Sequence, residues 1–203
     1  MKILLVACET IEDEIKTALL SLEIDYEVLW LEGGLHFNPN HLRDRLQQVF
    51  DEAQGRYDRL LVSFGYCGGG VSGLTTYDYE TVLPLADDCL SLLLGSMQAR
   101  QLASKPPTYF LTSGWMRHEN NVVTSYQKCI EKYGLRRSER IHRIMLHNYH
   151  RFGLVETGCY DMKNAVQQVQ DLAQAMDLKV ETLPGDLEWV KRFLLGPYDD
   201  PER

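Results

Sequence analysis

Two cysteines stand beside residues that could give a thiol a chemical role. Cys67 lies in a glycine-rich segment at residues 65–73, and Cys89 directly follows Asp87 and Asp88. A thiolate is both a nucleophile and a ligand for soft metal ions. The chain has 5 cysteines in 203 residues. This odd number, widely spread, does not form the disulfide framework of a small secreted protein. We therefore predict reduced thiols that are available for metal binding or catalysis.

The glycines around Cys67 leave backbone N–H groups open to a ligand. Gly68, Gly69 and Gly70 follow the thiol directly, and such a loop can hold an anion, a phosphate or a cluster sulfur. The segment is not a nucleotide-binding loop, because no Gly-Lys-Ser/Thr follows and it does not stand at the first strand-to-helix turn. We predict that these three glycines bind a cofactor; the alternative is a flexible turn.

Cys89 is expected in the first turn of a helix, where the helix dipole lowers the pKa of a thiol. The adjacent carboxylates of Asp87 and Asp88 oppose that effect unless a cation lies between them. A metal ion with oxygen and sulfur ligands would resolve the conflict, so Asp88 is included among the predicted ligands. The alternative is that one of the two aspartates simply caps the helix.

The elements that must position these residues follow from the hydrophobic pattern. Strands are predicted at residues 2–7, 26–31, 59–64, 108–112, 152–156 and 179–183, with a short extended piece at 81–85. Helices are predicted at residues 11–22, from Asn38 or Asn40 onward, and at 86–95, 117–134, 137–149, 162–176 and 185–195. Residues 96–106 are predicted to be a polar connection. The alternation predicts one doubly wound α/β domain over residues 1–203, with a mainly parallel sheet and helices on both faces.

Four cysteines come just after predicted strands or on the helix that follows one. The carboxyl ends of parallel strands share one edge of a sheet, and ligands bind in the crevice at that edge. We therefore predict a metal ion or iron–sulfur cluster there, held by Cys8, Cys67, Asp88, Cys89 and Cys159.

Other residues at the same edge are weaker candidates. Trp115 follows the strand at residues 108–112 and is predicted to wall a cofactor pocket, with His118 beside it. Cys129 shares a helix face with apolar neighbours, so it is predicted to be a core residue. The basic stretch at residues 136–151 could meet an anionic cofactor or an acidic partner, or be a solvated face.

Composition excludes several classes of function. Lys and Arg number 21 against 29 Asp and Glu, a net charge of −8, so neither nucleic acid nor an anionic membrane surface is an expected partner. The N-terminal apolar run stops at Cys8, which is too short for a signal peptide, and no run of 18 apolar residues occurs. A cytoplasmic protein is expected, with a two-fold homodimer as the default oligomer.

Several short segments, taken in order, resemble one uncharacterised family, called domain of unknown function 1638. They lie at residues 65–68, 73–74, 83–84, 88–90, 92–96, 109–115, 157–158, 160–161, 185–187 and 194–196. The resemblance covers nearly the whole chain. It implies a setting similar to the corrinoid-linked methyl-transfer systems of anaerobes. After Gly196 the family tends to show Trp-Asp, whereas this chain has Tyr198-Asp199.

Three functions remain open at this point. The first is a thiolate-held metal site in methyl-transfer or redox metabolism. The second is a non-catalytic module that binds a small cofactor, a corrinoid or a partner protein, although the Asp-x-His-x-x-Gly loop of corrinoid carriers is absent. The third is nucleophilic catalysis by Cys67, with glycine N–H groups stabilising an oxyanion and His118 as the base.

Overall fold

The computed structural model describes residues 1–198, in which strands and helices alternate. The strands are β1 (Ile3–Cys8), β2 (Glu27–Leu31), β3 (Arg59–Val62), β4 (Glu80–Val82), β5 (Thr108–Leu111), β6 (Arg151–Glu156) and β7 (Lys179–Pro184). The helices are α1 (Glu12–Ser21), α2 (Pro39–Ala53), α3 (Cys89–Leu93), α4 (Met97–Ala103), α5 (Ser113–Arg117), α6 (Val122–Tyr133), α7 (Leu135–Leu146), α8 (Met162–Met176) and α9 (Glu188–Leu195). None of these helices has the length and apolar character needed to cross a membrane.

The strands form two parallel sheets. The first has the order β2-β1-β3-β4 and the second has the order β5-β6-β7. The predicted α/β class with a parallel sheet is confirmed, but one continuous sheet was expected. β4 is only three residues long, and Pro84 follows it closely. A proline has no N–H to donate, which limits the length of this edge strand.

Two helix predictions need correction. The predicted connection at residues 96–106 contains α4, because the Ser96 hydroxyl accepts from the N–H of Ala99 at 3.0 Å and caps the helix. The helix predicted at 117–134 begins only at Val122, as α6, and a separate short helix, α5, ends at Arg117. Asn121 caps α6 by accepting from the N–H groups of Val123 and Thr124 through its side chain.

The two sheets share a core. Leu5 and Leu61 of the first sheet belong to the same buried apolar group as Val155 and Leu183 of the second. β1 lies at the centre of the first sheet, with Leu5, Val6 and Ala7 fully buried, as expected of a strand covered on both faces. The hydroxyl of Thr112, just after β5, also donates to the carbonyl oxygen of Thr10 at 2.5 Å. These contacts place the end of β5 against the end of β1.

Candidate functional site

A cavity of about 420 Å³ lies where the ends of β1, β3 and β5 meet. Three cysteines line it, each from a different part of the chain: Cys8 ends β1, Cys67 follows β3, and Cys89 begins α3. We call it the thiol cavity, after Cys8, Cys67 and Cys89. The structure thus brings Cys8, Cys67 and Cys89, three of the five predicted metal ligands, to the lining of one cavity.

One hydroxyl bridges two of the sulfurs. The Oγ1 of Thr10 is 3.1 Å from Cys8 Sγ and 3.5 Å from Cys89 Sγ. Thr10 stands in a 3₁₀ turn that follows β1 directly, which turns its side chain back over the end of the strand. Cys8 and Cys89 therefore face the same small space.

The backbone of Cys67 is held in an unusual conformation. Its φ is +46°, in the left-handed region where a side chain costs about 1–2 kcal/mol. Its N–H donates to the carbonyl oxygen of Asp87 at 2.8 Å, and the N–H of Tyr66 donates to Ala86 at 2.7 Å. These bonds fix the loop against the segment before α3. A cysteine kept where glycine is favoured indicates a role for the side chain.

The protein environment disfavours thiolates at all three positions. Burial, followed by the nearby Cys8 and Asp88, raises the pKa of Cys67 to about 12. Burial also raises the pKa of Cys89 well above its ordinary value, and that of Cys8 in the same direction. The three groups are therefore neutral thiols at neutral pH.

Asp88 is already engaged by two partners. It caps α3, accepting from the N–H of Ser91 at 3.0 Å, and it forms an ion pair with Arg100 of α4 at 2.9 Å. Helix capping, the alternative to metal ligation, thus explains why an aspartate stands at position 88. Arg100 lies over the ring of Phe110 at 4.2 Å.

Much of the remaining cavity lining is aromatic. The rings are those of Phe37, Phe64, Tyr109, Phe110, Trp115 and Tyr149. Trp115 is buried on α5, and His36 meets it edge-on with ring centroids 5.1 Å apart. The predicted place of Trp115 at the pocket wall agrees with the structure.

Other predicted site residues lie outside the cavity. The N–H groups of Gly69 and Gly70 donate to Tyr66 and Cys67 within a 3₁₀ turn. A Cβ on Gly70 would lie 2.5 Å from the side chain of Leu42. The loop thus packs on α2. Gly68, Gly69 and Gly70 are not among the cavity-lining residues of the described chain, and their cofactor-binding role stays a prediction.

Cys159 is separated from the other three predicted thiol ligands. It follows β6, its Sγ lies 3.7 Å from the carbonyl oxygen of Thr157, and it is not among the described residues that line the cavity. Thr157 instead donates to Glu14 Oε1 at 2.9 Å. The second sheet contributes to the cavity through β5 and the residues that follow it, whereas Cys159 follows the neighbouring strand β6.

His118 does not reach the thiols. It stacks on Trp115 at 5.0 Å, is absent from the described lining of the cavity, and accepts from the N–H of Asn120 through Nδ1. His36 lines the cavity in its place. The proposed Cys67 nucleophile therefore lacks the predicted base and carries a raised pKa, which disfavours nucleophilic catalysis.

The spacing of the donors does not form a closed metal site. Among the residues 1–198 that the structure describes, no group of three or more His, Cys, Asp or Glu side chains could hold a metal ion. The predicted ligands Cys8, Cys67, Asp88, Cys89 and Cys159 therefore do not form one site. Cys159 is not among the described residues that line the cavity, and Asp88 is paired with Arg100.

Sequence reasoning missed several residues of the cavity. Thr10, His36, Phe37 and Arg100 all line it. Thr10 stands two residues after Cys8, at the end of the same strand, and this position could have identified it from the sequence. The other three come from segments with no motif, so only the tertiary contacts reveal them.

The chain was compared with family models, curated proteins and solved structures. Residues 30–194 match the family described as "Protein of unknown function (DUF1638)". The chain belongs to this family. The DUF1638 match includes Cys67, Cys89 and Trp115 but begins after Cys8 and Thr10. No curated protein and no solved structure matches the chain.

The arginines of the basic stretch at residues 136–151 that lie on α7 are not among the described residues lining the thiol cavity, although Tyr149 of the same stretch is. Arg136, Arg140 and Arg143 line a separate shallow groove on α7. The inner face of that helix is buried through Ser138 and His142. The stretch thus contains both a solvated face and a packed face.

Proposed function

We propose that the chain binds a small molecule in the thiol cavity, in contact with Cys8, Cys67 and Cys89. The observation that carries the proposal is the convergence of three thiols from three segments on one cavity of about 420 Å³. That volume lies within the range of small-molecule sites, and the mixture of an apolar wall with few polar groups is typical of them. The strained backbone of Cys67 adds support, because it places this side chain in the cavity.

A fragment screen by saturation-transfer NMR tests this proposal. The probes are a mixture of neutral, anionic and cationic fragments, applied under reducing conditions to the wild-type chain and to two variants. Leu90→Trp enlarges a side chain that lines the cavity. Leu20→Trp makes the same change at a residue of α1 that is 80% exposed.

We expect fragments whose signal is lost with Leu90→Trp and kept with Leu20→Trp. If every fragment binds the two variants equally well, the cavity is not a binding site. Thermal melting of both variants controls for folding.

A soft metal ion shared between the thiols and a bound molecule is the second candidate. It is favoured by the meeting of three sulfur donors on one cavity. Binding would require the metal to displace the thiol protons, since thiolates are the ligands. Because the described side chains do not enclose a metal by themselves, the bound molecule would supply the remaining ligands.

Metal analysis of anaerobically purified protein tests the second candidate. Iron, zinc, cobalt or nickel near one equivalent per chain, and its loss with Cys67→Ser, would support it. Stoichiometric absence of all four would rule it out while leaving small-molecule binding intact. Absorption spectra with and without an added corrinoid test the proposed link to methyl-transfer proteins.

A further inference from the structure

The fixed charges at the cavity wall neutralise each other. Arg100 Nη2 and Nε lie 2.9 and 3.0 Å from Asp88 Oδ2, and Nη1 donates to Ser104 Oγ. The guanidinium also covers the face of Phe110. Arg100 therefore has little left to offer an anion, and its charge over the ring opposes a cation there.

Burial favours the neutral forms of the three thiols, His36 and Tyr109, which also line the cavity. The three thiols are protonated, as described above. Burial lowers the pKa of His36, which favours the neutral form of its ring. Burial likewise raises the pKa of the Tyr109 phenol. A charged ligand would thus lose its hydration without gaining an unpaired opposite charge among the described lining residues.

The shape and chemistry of the open side favour a flat ring. Phe37 stands at the cavity mouth with 63% of its surface exposed, although it contacts Trp115 at 5.5 Å between ring centroids. On another wall, Tyr109 and Tyr149 meet edge-on at 5.2 Å. A planar ligand can contact the rings of both aromatic pairs, which favours it beyond the burial of its apolar surface.

We infer that the thiol cavity selects an uncharged, planar aromatic molecule. This inference rests on the proposed function, since it names the ligand class of the same site. The thiols serve as small, polarisable, neutral surface in contact with the ring. The neutrality of the wall depends on one ion pair, Asp88 with Arg100, which makes charge selection open to a direct test.

Three probes with one ring system provide that test. Quinoline is neutral at pH 7.5, quinoline-8-sulfonate is an anion, and N-methylquinolinium is a cation. Dissociation constants are measured by saturation-transfer NMR with the wild-type chain, Leu90→Trp and Leu20→Trp. We expect quinoline to bind the wild-type chain and Leu20→Trp but not Leu90→Trp. Both ions should bind the wild-type chain about ten-fold more weakly than quinoline does, or weaker still.

The variant Asp88→Asn should change the preferred charge. Asparagine keeps a side-chain oxygen for the N–H of Ser91, so the cap of α3 is retained. It leaves Arg100 without its counter-charge, and quinoline-8-sulfonate should then bind about ten-fold more tightly than to wild type. The double variant Asp88→Asn/Arg100→Gln should restore the preference for quinoline.

The outcomes separate the inference from the proposed function. If either ion binds the wild-type cavity as well as quinoline does, or if Asp88→Asn leaves the order of affinities unchanged, the inference is wrong and the binding site stands. If other fragments bind in the Leu90-dependent way but none of the quinolines does, the inference is also wrong. If no probe distinguishes Leu90→Trp from Leu20→Trp, both proposals fail.

Discussion

Replacing Cys67 with glycine and with alanine should reverse the usual order of stability. Both changes remove the thiol, but alanine keeps a Cβ at φ +46° and glycine does not. The left-handed conformation costs a side chain about 1–2 kcal/mol. Glycine gives back about 0.4–1 kcal/mol through the greater freedom of the unfolded chain. The glycine variant should therefore be more stable than the alanine variant by somewhat under 1 kcal/mol.

Thermal and urea unfolding measure this difference. For a chain of this length, 1 kcal/mol corresponds to a shift of about 2–4 °C in Tm. Ser72 is the matched control, because it lies in the same loop and is not among the described non-glycine residues with positive φ. There, Ser72→Ala should be more stable than Ser72→Gly. Should Cys67→Ala equal or exceed Cys67→Gly in stability, the backbone strain that supports a ligand-contacting role for this side chain does not exist.

Three further predictions follow from buried groups. Burial raises the pKa of Glu14 from 4.5 to about 7. The native chain therefore binds this proton more tightly than the unfolded chain, and about 3 kcal/mol of stability is lost as the pH rises from 4.5 through 7. Glu14→Gln should flatten that loss and raise Tm at pH 8, and an unchanged pH profile would contradict the assignment. Gly114→Ala should lower stability by about 2–3 kcal/mol, because its Cβ would lie 2.2 Å from the carbonyl oxygen of Glu9; urea unfolding with a normal midpoint would show that the segment relaxes freely. Iodoacetamide at pH 8, followed by peptide mass spectrometry, should modify Cys67 more slowly than Cys159, since burial raises the pKa of Cys67 to about 12; faster labelling of Cys67 would revive the nucleophile hypothesis.

The strand pattern was readable from the sequence because buried parallel strands leave short apolar runs. The ends of β1 and β3 followed from those runs, and with them the meeting of Cys8 and Cys67. The division into two sheets was not readable, since it depends on which strand pairs with β5. Pairing is a long-range choice that local hydrophobicity does not encode.

Only part of the site could be predicted, because the site also depends on long-range contacts. The position of Cys89 followed from its place near a strand end, whereas Cys159 was misplaced because only β5 of the second sheet, and not its own strand β6, ends at the cavity. The ion pair of Asp88 with Arg100 joins residues on two helices, one of which the sequence did not predict. Its effect on the predicted metal site could be seen only in three dimensions.

The residues that line the cavity are synthesised in a fixed order. Cys8, Cys67 and Cys89 all leave the ribosome before Trp115 and Tyr149, which complete the wall. Until then the three thiols belong to a nascent chain without their final cover and are open to oxidation. Once β5 docks against the end of β1, the same sulfurs line the finished cavity. The first half of the chain thus supplies the thiols, and the second half completes the aromatic wall that gives them a shared site.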